Sequence, residues 1–414
     1  MSATVLTAAT PDMPAARDAP VAADDRYDSL DLLRGIAVLM IFAVNIRSML
    51  QPFFAQADPR VWTGPHDLAI DRVLQFAVDG KWVATFSVLF GAGLMLLHEK
   101  AVAVGAKPSD RIVRRQMWLI GFGLVHAILI WLGDILLTYG VVGLMVMPLL
   151  GRRSRTVAVW AAGVIAVGVG LLWLLSLMVP FMLEDPSAAE AMSMSAFIAG
   201  EVEAKSGGIG AQLAWRATQA PLVVGNVVIA PVFVLPYMLI GVLAFRSGFL
   251  LARWPAWRYA LIGAVCLGGA WAMDWWRIGQ MGVWDGAAPK GPYEVLILQY
   301  LWFGVVEGLA GAIGYAALVM AAARPGLRVP PLSAAGRMAF TNYVACSVIG
   351  TTLAAGHGAG LLGELTLAQA MVVVGATWIA MLVWSPLWLR AFRYGPLEWA
   401  WRSLSYGRMQ PMRR

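Results

Sequence analysis

Long apolar runs separated by shorter polar connections make up most of this chain, and few charges lie inside the runs. Ten runs come close to the ~20 residues that a helix needs to cross the hydrocarbon core of a bilayer. They cover about 30–50, 81–98, 116–132, 135–150, 156–181, 219–245, 257–275, 294–322, 334–355 and 366–389. Because a spanning helix satisfies its own backbone hydrogen bonds, the pattern predicts an all-α, polytopic integral membrane protein with about ten transmembrane helices.

Composition agrees with this class and excludes a soluble protein. Of the 414 residues, 60% are hydrophobic and 13% are charged, and the mean hydropathy is +0.70. We divide the chain into a disordered N-terminal tail, an N-terminal transmembrane half, a C-terminal transmembrane half and a basic tail. Their residues are 1–25, 26–218, 219–405 and 406–414.

The distribution of lysine and arginine predicts the orientation of the chain. The two tails and alternate connections hold 22 of the 31 basic residues, the other connections hold 8, and Arg34 lies within the first run. Basic residues are retained on the cytoplasmic side of a membrane, so both termini are predicted to be cytoplasmic. The net charge of +7 then reflects membrane orientation and does not call for a nucleic-acid partner.

Two of the predicted outer connections are long. Residues 51–80 are predicted to contain a short amphipathic helix, and residues 183–218 to bend at Gly207-Gly208. Such connections either line a site as lids or only cap the surface, and the sequence leaves both roles open. The sixth run is predicted to be broken by its three prolines, which are Pro221, Pro231 and Pro236.

The candidate chemistry centres on a helical hairpin over residues 111–153, which reads RIVRRQMWLIGFGLVHAILIWLGDILLTYGVVGLMVMPLLGRR. His126 is the one of the four histidines that falls in mid-span, and an ionisable group at that depth is a functional candidate by default. The alternative is a neutral imidazole bonded to a helix carbonyl. Asp134 and Tyr139, in the same hairpin, favour chemistry over that alternative.

A straight helix would keep His126 and Asp134 apart. Eight residues place them about 80° apart around the axis and ~12 Å apart along it. A break at Gly133 would turn Asp134 inward, or another helix would supply the partner of the imidazole. The histidines show no helical pairing, so no metal site is predicted.

The first two runs carry further polar candidates. Asp31 and Arg34 share one helix face and are predicted either to form an ion pair or to leave Arg34 free to bind an anionic group. Asn45 is predicted either to bond another helix or to orient a substrate. Lys81 stands at the outer edge of its run, where snorkelling to the interface accounts for it.

Later runs add more candidates for a cavity. Glu307 falls near the bilayer centre and is predicted to be a structural partner of a cation, with a proton carrier as the alternative. The ninth run begins AAGRMAFTNYVACS, which places Arg337, Asn342 and Tyr343 within its first turns.

Several motifs resemble one family over nearly the whole chain. LDLLRGIAVLMIFAVNI, KWVATFSVLFGAG, the hairpin, AAGRMAFTNYVACS and the C-terminal YGPLEWAWRSLSY are similar to the YeiB-like bacterial inner-membrane family, whose C-terminal domain has no known function. That family is grouped with transmembrane acyltransferases, including heparan-α-glucosaminide N-acetyltransferase and the polysaccharide acetylases. The resemblance implies a multi-pass protein of the bacterial inner membrane and an acyl donor taken from the cytoplasm.

One position departs from the acetylase pattern. In those proteins a first span with a similar start tends to end in a histidine thought to be catalytic, whereas Asn45 stands at the comparable place here. If this chain is a transferase, His126 must take the role of the base or the chemistry differs.

The leading hypothesis is therefore an acyltransferase with His126 as general base, assisted by Asp134, and with Asn45 or Tyr139 orienting the acceptor. Acyl-CoA would be the donor, with its phosphates held by Arg34, Arg111, Arg114 and Arg115. The acceptor would be a small molecule, a glycan or a lipid-linked group, and the expected partners are membrane lipids, with homo-oligomerisation left open. A transporter or flippase for a lipid-linked or small organic solute is the alternative, and a binding protein without turnover is the third.

Orientation can be tested with single cysteines in a background that lacks Cys266 and Cys346. A cysteine at Gly207 should react with a membrane-impermeant thiol reagent in intact cells, and a cysteine at Arg324 should not, because the charge distribution puts them on opposite sides. The reverse labelling pattern would overturn the orientation.

Overall fold

The computed structural model describes residues 27–55, 61–182, 184, 195–280, 293–324 and 326–414. The predicted disordered tail and most of the acidic start of the second outer connection lie outside these residues. In the described part the chain is helical, with one isolated β-bridge between Phe392 and Arg413. The all-α prediction is confirmed for these residues.

The helices, numbered in chain order, are α1 (Asp28–Leu50), α2 (Asp67–Ala77), α3 (Lys81–Ala103), α4 (Pro108–Val125), α5 (Leu136–Val146), α6 (Ser154–Met182), α7 (Ser195–Ser206), α8 (Ile209–Thr218), α9 (Ala220–Ile229), α10 (Pro231–Arg246), α11 (Ala256–Gln280), α12 (Tyr293–Ala323), α13 (Pro330–Arg337), α14 (Ala339–Ala354), α15 (Leu367–Ala391) and α16 (Pro396–Tyr406). A π-helical turn, His126–Ile130, continues α4.

Six stretches of these helices are long and apolar enough to cross a membrane, and a seventh is added if the bent pair α9–α10 counts as one span. Two shorter apolar helices lie at Leu136–Leu149 and Ala339–Ala354. A helix occupies each of the ten predicted runs. The protein is therefore an all-helical membrane protein, whereas the count of ten spans and the cytoplasmic placement of both termini stay predictions.

Two local predictions are confirmed, and a third is confirmed in part. The first long connection contains the amphipathic helix α2, and the second bends at Gly207-Gly208 between α7 and α8. Helices α9 and α10 are bent by 45° at Ala230, next to Pro231, which opens α10. Proline lacks the backbone N–H that an uninterrupted helix would use there. Pro221 lies in the first turn of α9, and Pro236 lies inside α10 without interrupting it.

Small residues allow the central helices to touch backbone to backbone. A Cβ on Gly91 of α3 would overlap the backbone of Met238 in α10, and a Cβ on Gly241 would overlap the backbone of Val88. Helices in membranes associate through such close contacts because lipid provides little hydrophobic drive for their packing. The α3–α10 crossing therefore depends on the absence of side chains at these two glycines.

The same kind of contact sets the direction of α14. A Cβ on Gly336 would overlap the Asp31 carbonyl near the start of α1, and a Cβ on Gly350 would overlap Met49 near its end. The α13–α14 segment therefore runs alongside α1 in the same direction, and Tyr343 lies near the middle of the bundle. We call the end at which α1 begins, α3 ends and α4 begins the basic end, and the opposite one the far end.

The α3–α10 crossing yields a matched test. Gly91→Ala should destabilise the protein by ~1–3 kcal/mol through overpacking against Met238. Gly93→Ala, two residues along the same helix, meets no atom within 4 Å and should leave stability unchanged or raise it by up to ~1 kcal/mol, because alanine favours the helix. Thermal unfolding followed by tryptophan fluorescence in detergent compares the two, and equal melting temperatures would contradict the crossing.

Candidate functional site

A cavity of about 650 Å³ lies between α1, α3, α4, α5, the α13–α14 segment and α16. Its most polar part is a rim of basic side chains at the basic end, from five separate helices. These are Arg34, Lys100, Arg111, Arg115, Arg337 and Arg402. Six cations converging on one opening create a positive potential that attracts anions.

Below this rim the cavity is mainly apolar. Helix α3 provides much of the wall, through Phe86, Leu89, Phe90, Leu94 and Leu97. Ile135, Tyr139 and Tyr343 line its deep part, at about half the depth of the bundle. The cavity therefore fits a long molecule with an anionic head and an apolar tail.

Helix α16 closes one side of the rim by stacking aromatic rings under arginines. The Arg115 guanidinium lies 3.5 Å from the ring centroid of Trp401, whose indole N–H donates to the Arg115 carbonyl at 2.9 Å. The Arg111 guanidinium lies 5.0 Å from the ring of Tyr406. Cation–π contacts of this kind hold the guanidinium planes in place.

Glu398 is a rim residue that the sequence did not single out. Its carboxylate accepts from the backbone N–H of Thr341 at 3.0 Å and from the Thr341 hydroxyl at 2.6 Å. Burial raises the pKa of the Glu398 carboxyl, although both Thr341 hydrogen bonds act in the opposite direction. An acidic residue in the first turn of α16 was the available sequence signal, but its link to α14 was not readable from it.

The break in α4 brings His126 and Asp134 together. The π-helical turn ends at Trp131, which is extended and donates its N–H to the His126 carbonyl at 2.8 Å. The chain then reverses, and Asp134 Oδ2 accepts from the Leu137 N–H at 2.7 Å at the start of α5. Its other oxygen, Oδ1, lies 2.9 Å from His126 Nδ1. The inward turn of Asp134 is confirmed, although the helix ends at Trp131 rather than at Gly133.

The imidazole of His126 is buried and lacks well-oriented hydrogen bonds to the described residues. Its residue is 2% exposed, and within the described part of the chain neither ring nitrogen makes a well-oriented hydrogen bond. The 2.9 Å distance to Asp134 is that of an ion pair, but its direction is poor for a hydrogen bond. Buried polar atoms are normally satisfied, so the helix-carbonyl partner that a purely structural histidine needs is missing from the described residues.

Tyr343 separates this pair from the cavity. Its ring centroid lies 5.2 Å from that of His126, and Trp131 covers the imidazole from another side at 6.5 Å. Tyr343 lines the cavity, whereas His126 and Asp134 do not. A turn of the Tyr343 side chain would connect the cavity to the imidazole.

Of the other residues predicted to bind the acyl donor or to orient the acceptor substrate, some line the cavity and others do not. Arg34 and Arg111 line the cavity, and Arg34 also donates to Asp31 at 2.8 Å, so the predicted ion pair forms. Arg114 is exposed and does not line the cavity, and its guanidinium lies beside Gly407 at the end of α16. Asn45 is half-buried and does not line the cavity.

Two further candidates are occupied by structural contacts. The Tyr139 hydroxyl lies 2.7 Å from the Ser87 hydroxyl and donates to the Val83 carbonyl at 3.2 Å, which fixes it as part of the wall. Asn342 lies outside the lining, is fully buried and donates to Ala335 and Ser385, both at 3.1 Å. Of the three candidates in the ninth run, Arg337 and Tyr343 therefore line the cavity.

Glu307 lies outside the cavity, in a separate cluster with Lys81. Lys81 is 0% exposed, and its Nζ lies 2.6 Å from Glu307 Oε1 and 2.8 Å from Asp274 Oδ2. The prediction that Lys81 snorkels is wrong, because two buried carboxylates hold its ammonium group inside the bundle. The sequence could not reveal this pairing, since the carboxylates lie on α11 and α12.

Comparison with known proteins places the chain among relatives without an assigned reaction. The family described as a protein of unknown function (DUF418) matches residues 244–408. The uncharacterized protein YxaH of Bacillus subtilis (strain 168) is 28% identical over 420 residues, covering 95% of this chain and 97% of that protein. No solved structure matches.

The uncharacterized protein YeiB of Escherichia coli (strain K12) is 30% identical over 419 residues, covering 92% of this chain and 96% of YeiB. Both the N-terminal half, with the His126 hairpin, and the C-terminal half, with α16, are therefore included in the similarity. By this likeness over nearly its whole length, the chain belongs to the YeiB-like family.

Proposed function

We propose that this protein is a membrane-bound acyltransferase that moves an acyl group from cytoplasmic acyl-CoA to a hydroxyl or amine acceptor at or across the bacterial inner membrane. The observation that supports it is a cavity with a basic rim and apolar walls whose deep end adjoins the buried His126–Asp134 pair. Each part of that arrangement matches one part of the reaction.

The rim suits the phosphates of coenzyme A. Arginine binds phosphate through a planar fork of N–H groups, and the guanidinium groups of Arg34, Arg111 and Arg115 line one opening. The predicted orientation puts this rim at the cytoplasm, where acyl-CoA is found. Stacking on Trp401 and Tyr406 orders two of these groups before a ligand arrives.

The apolar walls suit the pantetheine arm and the acyl chain. Fifteen residues separate Arg111 from His126, which is about 22 Å along a helix. An extended thioester arm can cover such a distance, so phosphates at the rim and a thioester at Tyr343 are compatible. Removing water from the deep end would also protect the thioester from hydrolysis.

His126 supplies the base in the proposed reaction. Asp134 lies 2.9 Å from Nδ1, so Nε2 is left to remove a proton from the acceptor as its oxygen or nitrogen attacks the thioester carbonyl carbon. The C–S bond then breaks, and the CoA thiolate takes the proton back from the imidazolium. Asp134 stabilises that imidazolium, and substrate binding would improve the alignment of the pair.

The position of this pair suits an acceptor from the far side. His126 lies between Tyr343, which faces the donor cavity, and Trp131, which faces the outer helices α7 and α8. Arg216 of α8 donates to the Ile128 carbonyl at 3.3 Å and so contacts the π-helical turn from outside. If Trp131 moved aside, a small-molecule, glycan or lipid-linked acceptor would reach the imidazole from this side without passing through the donor cavity.

A transporter or flippase is the second candidate function. The 45° bend between α9 and α10 and the buried cluster of Lys81, Asp274 and Glu307 favour it, since both are typical of moving or proton-linked helices. The two functions differ in whether the thioester is cleaved.

The rim can be tested with a same-helix control. Arg34→Lys combined with Arg111→Lys keeps the charge but removes two forks, and should weaken acetyl-CoA binding about tenfold or more, since ~1.4 kcal/mol corresponds to tenfold. Arg114→Lys, exposed on α4, should bind as the wild type does. Isothermal titration of purified protein measures all three, and equal affinities would remove the rim from donor binding.

The proposed base can be tested by comparing two histidines. His126→Gln should lower thioester cleavage from labelled acyl-CoA by about 10²–10⁴-fold, with donor affinity little changed, because proton transfer is lost. His98→Gln, which lies outside the cavity lining, should keep full turnover. The assay uses purified protein in liposomes of bacterial lipid. Normal turnover in His126→Gln would exclude this mechanism, and no cleavage by the wild type would favour the transporter.

A further inference from the structure

A second buried polar cluster lies toward the far end, outside the lining of the donor cavity. It joins α1, α2, the turn after α2, α3, α11 and α12. Its members are Arg47, Asp71, Gln75, Asp79, Lys81, Asp274, Arg277 and Glu307. The acyl-transfer reaction proposed above uses none of them.

One half of the cluster is balanced in charge. Lys81 contacts Asp274 at 2.8 Å and Glu307 at 2.6 Å, and Arg277 contacts Asp274 at 3.0 Å. Arg277 also comes within 3.9 Å of Glu307. Two cations thus face two carboxylates, and all four side chains are buried or nearly so. The positive and negative charges in this half of the cluster therefore cancel, and no further charge is needed there.

The other half has one carboxylate too many. Arg47 contacts Asp71 at 2.9 Å and also contacts Asp79, so that one cation serves two acids. Gln75 connects the halves, donating to Asp71 at 2.7 Å and accepting from Arg277 at 3.2 Å, but it carries no charge. Among the described members, three cations therefore face four carboxylates.

The other cations of the cluster, Lys81 and Arg277, act on Asp79 only through space, because both are bound by Asp274 and Glu307. The Nζ of Lys81 contacts only backbone carbonyls of Gln75 and Asp79 on this side, at 3.4 and 3.3 Å. Asp67, on the same helix, accepts from backbone N–H groups of Gly64 and Ala368. Helix α15 thus meets α2 through a backbone group rather than a charge.

We propose that Asp71 and Asp79 form a site for one exchangeable proton, shared around Arg47. An uncompensated charge inside an apolar bundle is costly, and two carboxylates on one cation lower that cost by keeping one proton between them. The Asp71 side chain is 2% exposed and that of Asp79 is 22% exposed, so Asp79 is the route by which the proton exchanges with solvent. The pair titrates as a unit.

This site gives the protein a proton-linked state. Arg47 lies in the last turn of α1, the helix that carries Arg34 at the donor rim and runs alongside α14 with Tyr343. Loss of the proton would leave Arg47 facing two full negative charges and would redistribute its contacts. The inference is independent of acyl transfer and applies equally to a transporter.

Infrared difference spectroscopy tests the site directly near neutral pH. Subtracting the spectrum of Asp71→Asn or of Asp79→Asn from that of the wild type should reveal loss of a protonated-carboxyl C=O band. Either substitution leaves one carboxylate for Arg47 and makes the proton unnecessary. Glu364→Gln, an exposed control, should retain the band. Loss of ionised-carboxylate absorption alone in both aspartate variants would overturn the proposal.

A second measurement uses the wild-type protein alone and so does not depend on how the variants fold. Labelling aspartate with ¹³C at the side-chain carboxyl should shift part of the protonated C=O band, which a protonated glutamic acid would not do. A protonated band that is absent, or that does not respond to the aspartate label, would place no proton on Asp71 or Asp79.

Discussion

The cost of placing charge in an apolar interior is the constraint on which this structure depends. Each buried charge in the described bundle is held by an opposite charge, a hydrogen-bond partner or an aromatic face. At the rim, Arg115 lies on the Trp401 ring, and at the far end Arg47 lies between two aspartates. Charges that are held in this way stay within the bundle, where low dielectric strengthens their effect on a ligand.

The break at the end of α4 pairs a buried histidine with a carboxylate, and so both meets this constraint and forms a candidate catalytic pair. A straight continuation would leave His126 without Asp134 and would bury a lone imidazole. The π-helical turn and the extended Trp131 instead return the chain so that one carboxylate both caps α5 and contacts Nδ1. π-helical turns inside α-helices are frequent at functional sites, and this one lies where the cavity ends.

The structural features that depend on local sequence patterns were predicted correctly. Apolar runs gave the helices, the proline at 231 gave the bend, and the three-residue spacing of Asp31 and Arg34 gave their ion pair. It did not reach contacts between distant segments. Lys81 was expected at the interface because its partners, Asp274 and Glu307, lie 193 and 226 residues further along the chain.

The basic rim of the cavity was likewise only partly predictable from the sequence. The arginines of α4 formed an obvious cluster, but periodicity alone did not separate Arg111 and Arg115, which line the cavity, from Arg114, which does not. That separation depends on where α16 packs, and the aromatic rings of α16 meet α4 across 286 residues of sequence. Hydrophobic periodicity reports burial along one helix and not the identity of the helix that covers it.

The central claim is that one cavity holds the acyl donor with its thioester beside His126. A structure determined with a non-hydrolysable thioether analogue of acyl-CoA tests it most directly. The account predicts phosphate density against Arg34 and Arg111, and the thioether sulfur next to a displaced Tyr343 within reach of His126. An analogue bound elsewhere, or one whose thioether lies at the rim with Tyr343 unmoved, would contradict it.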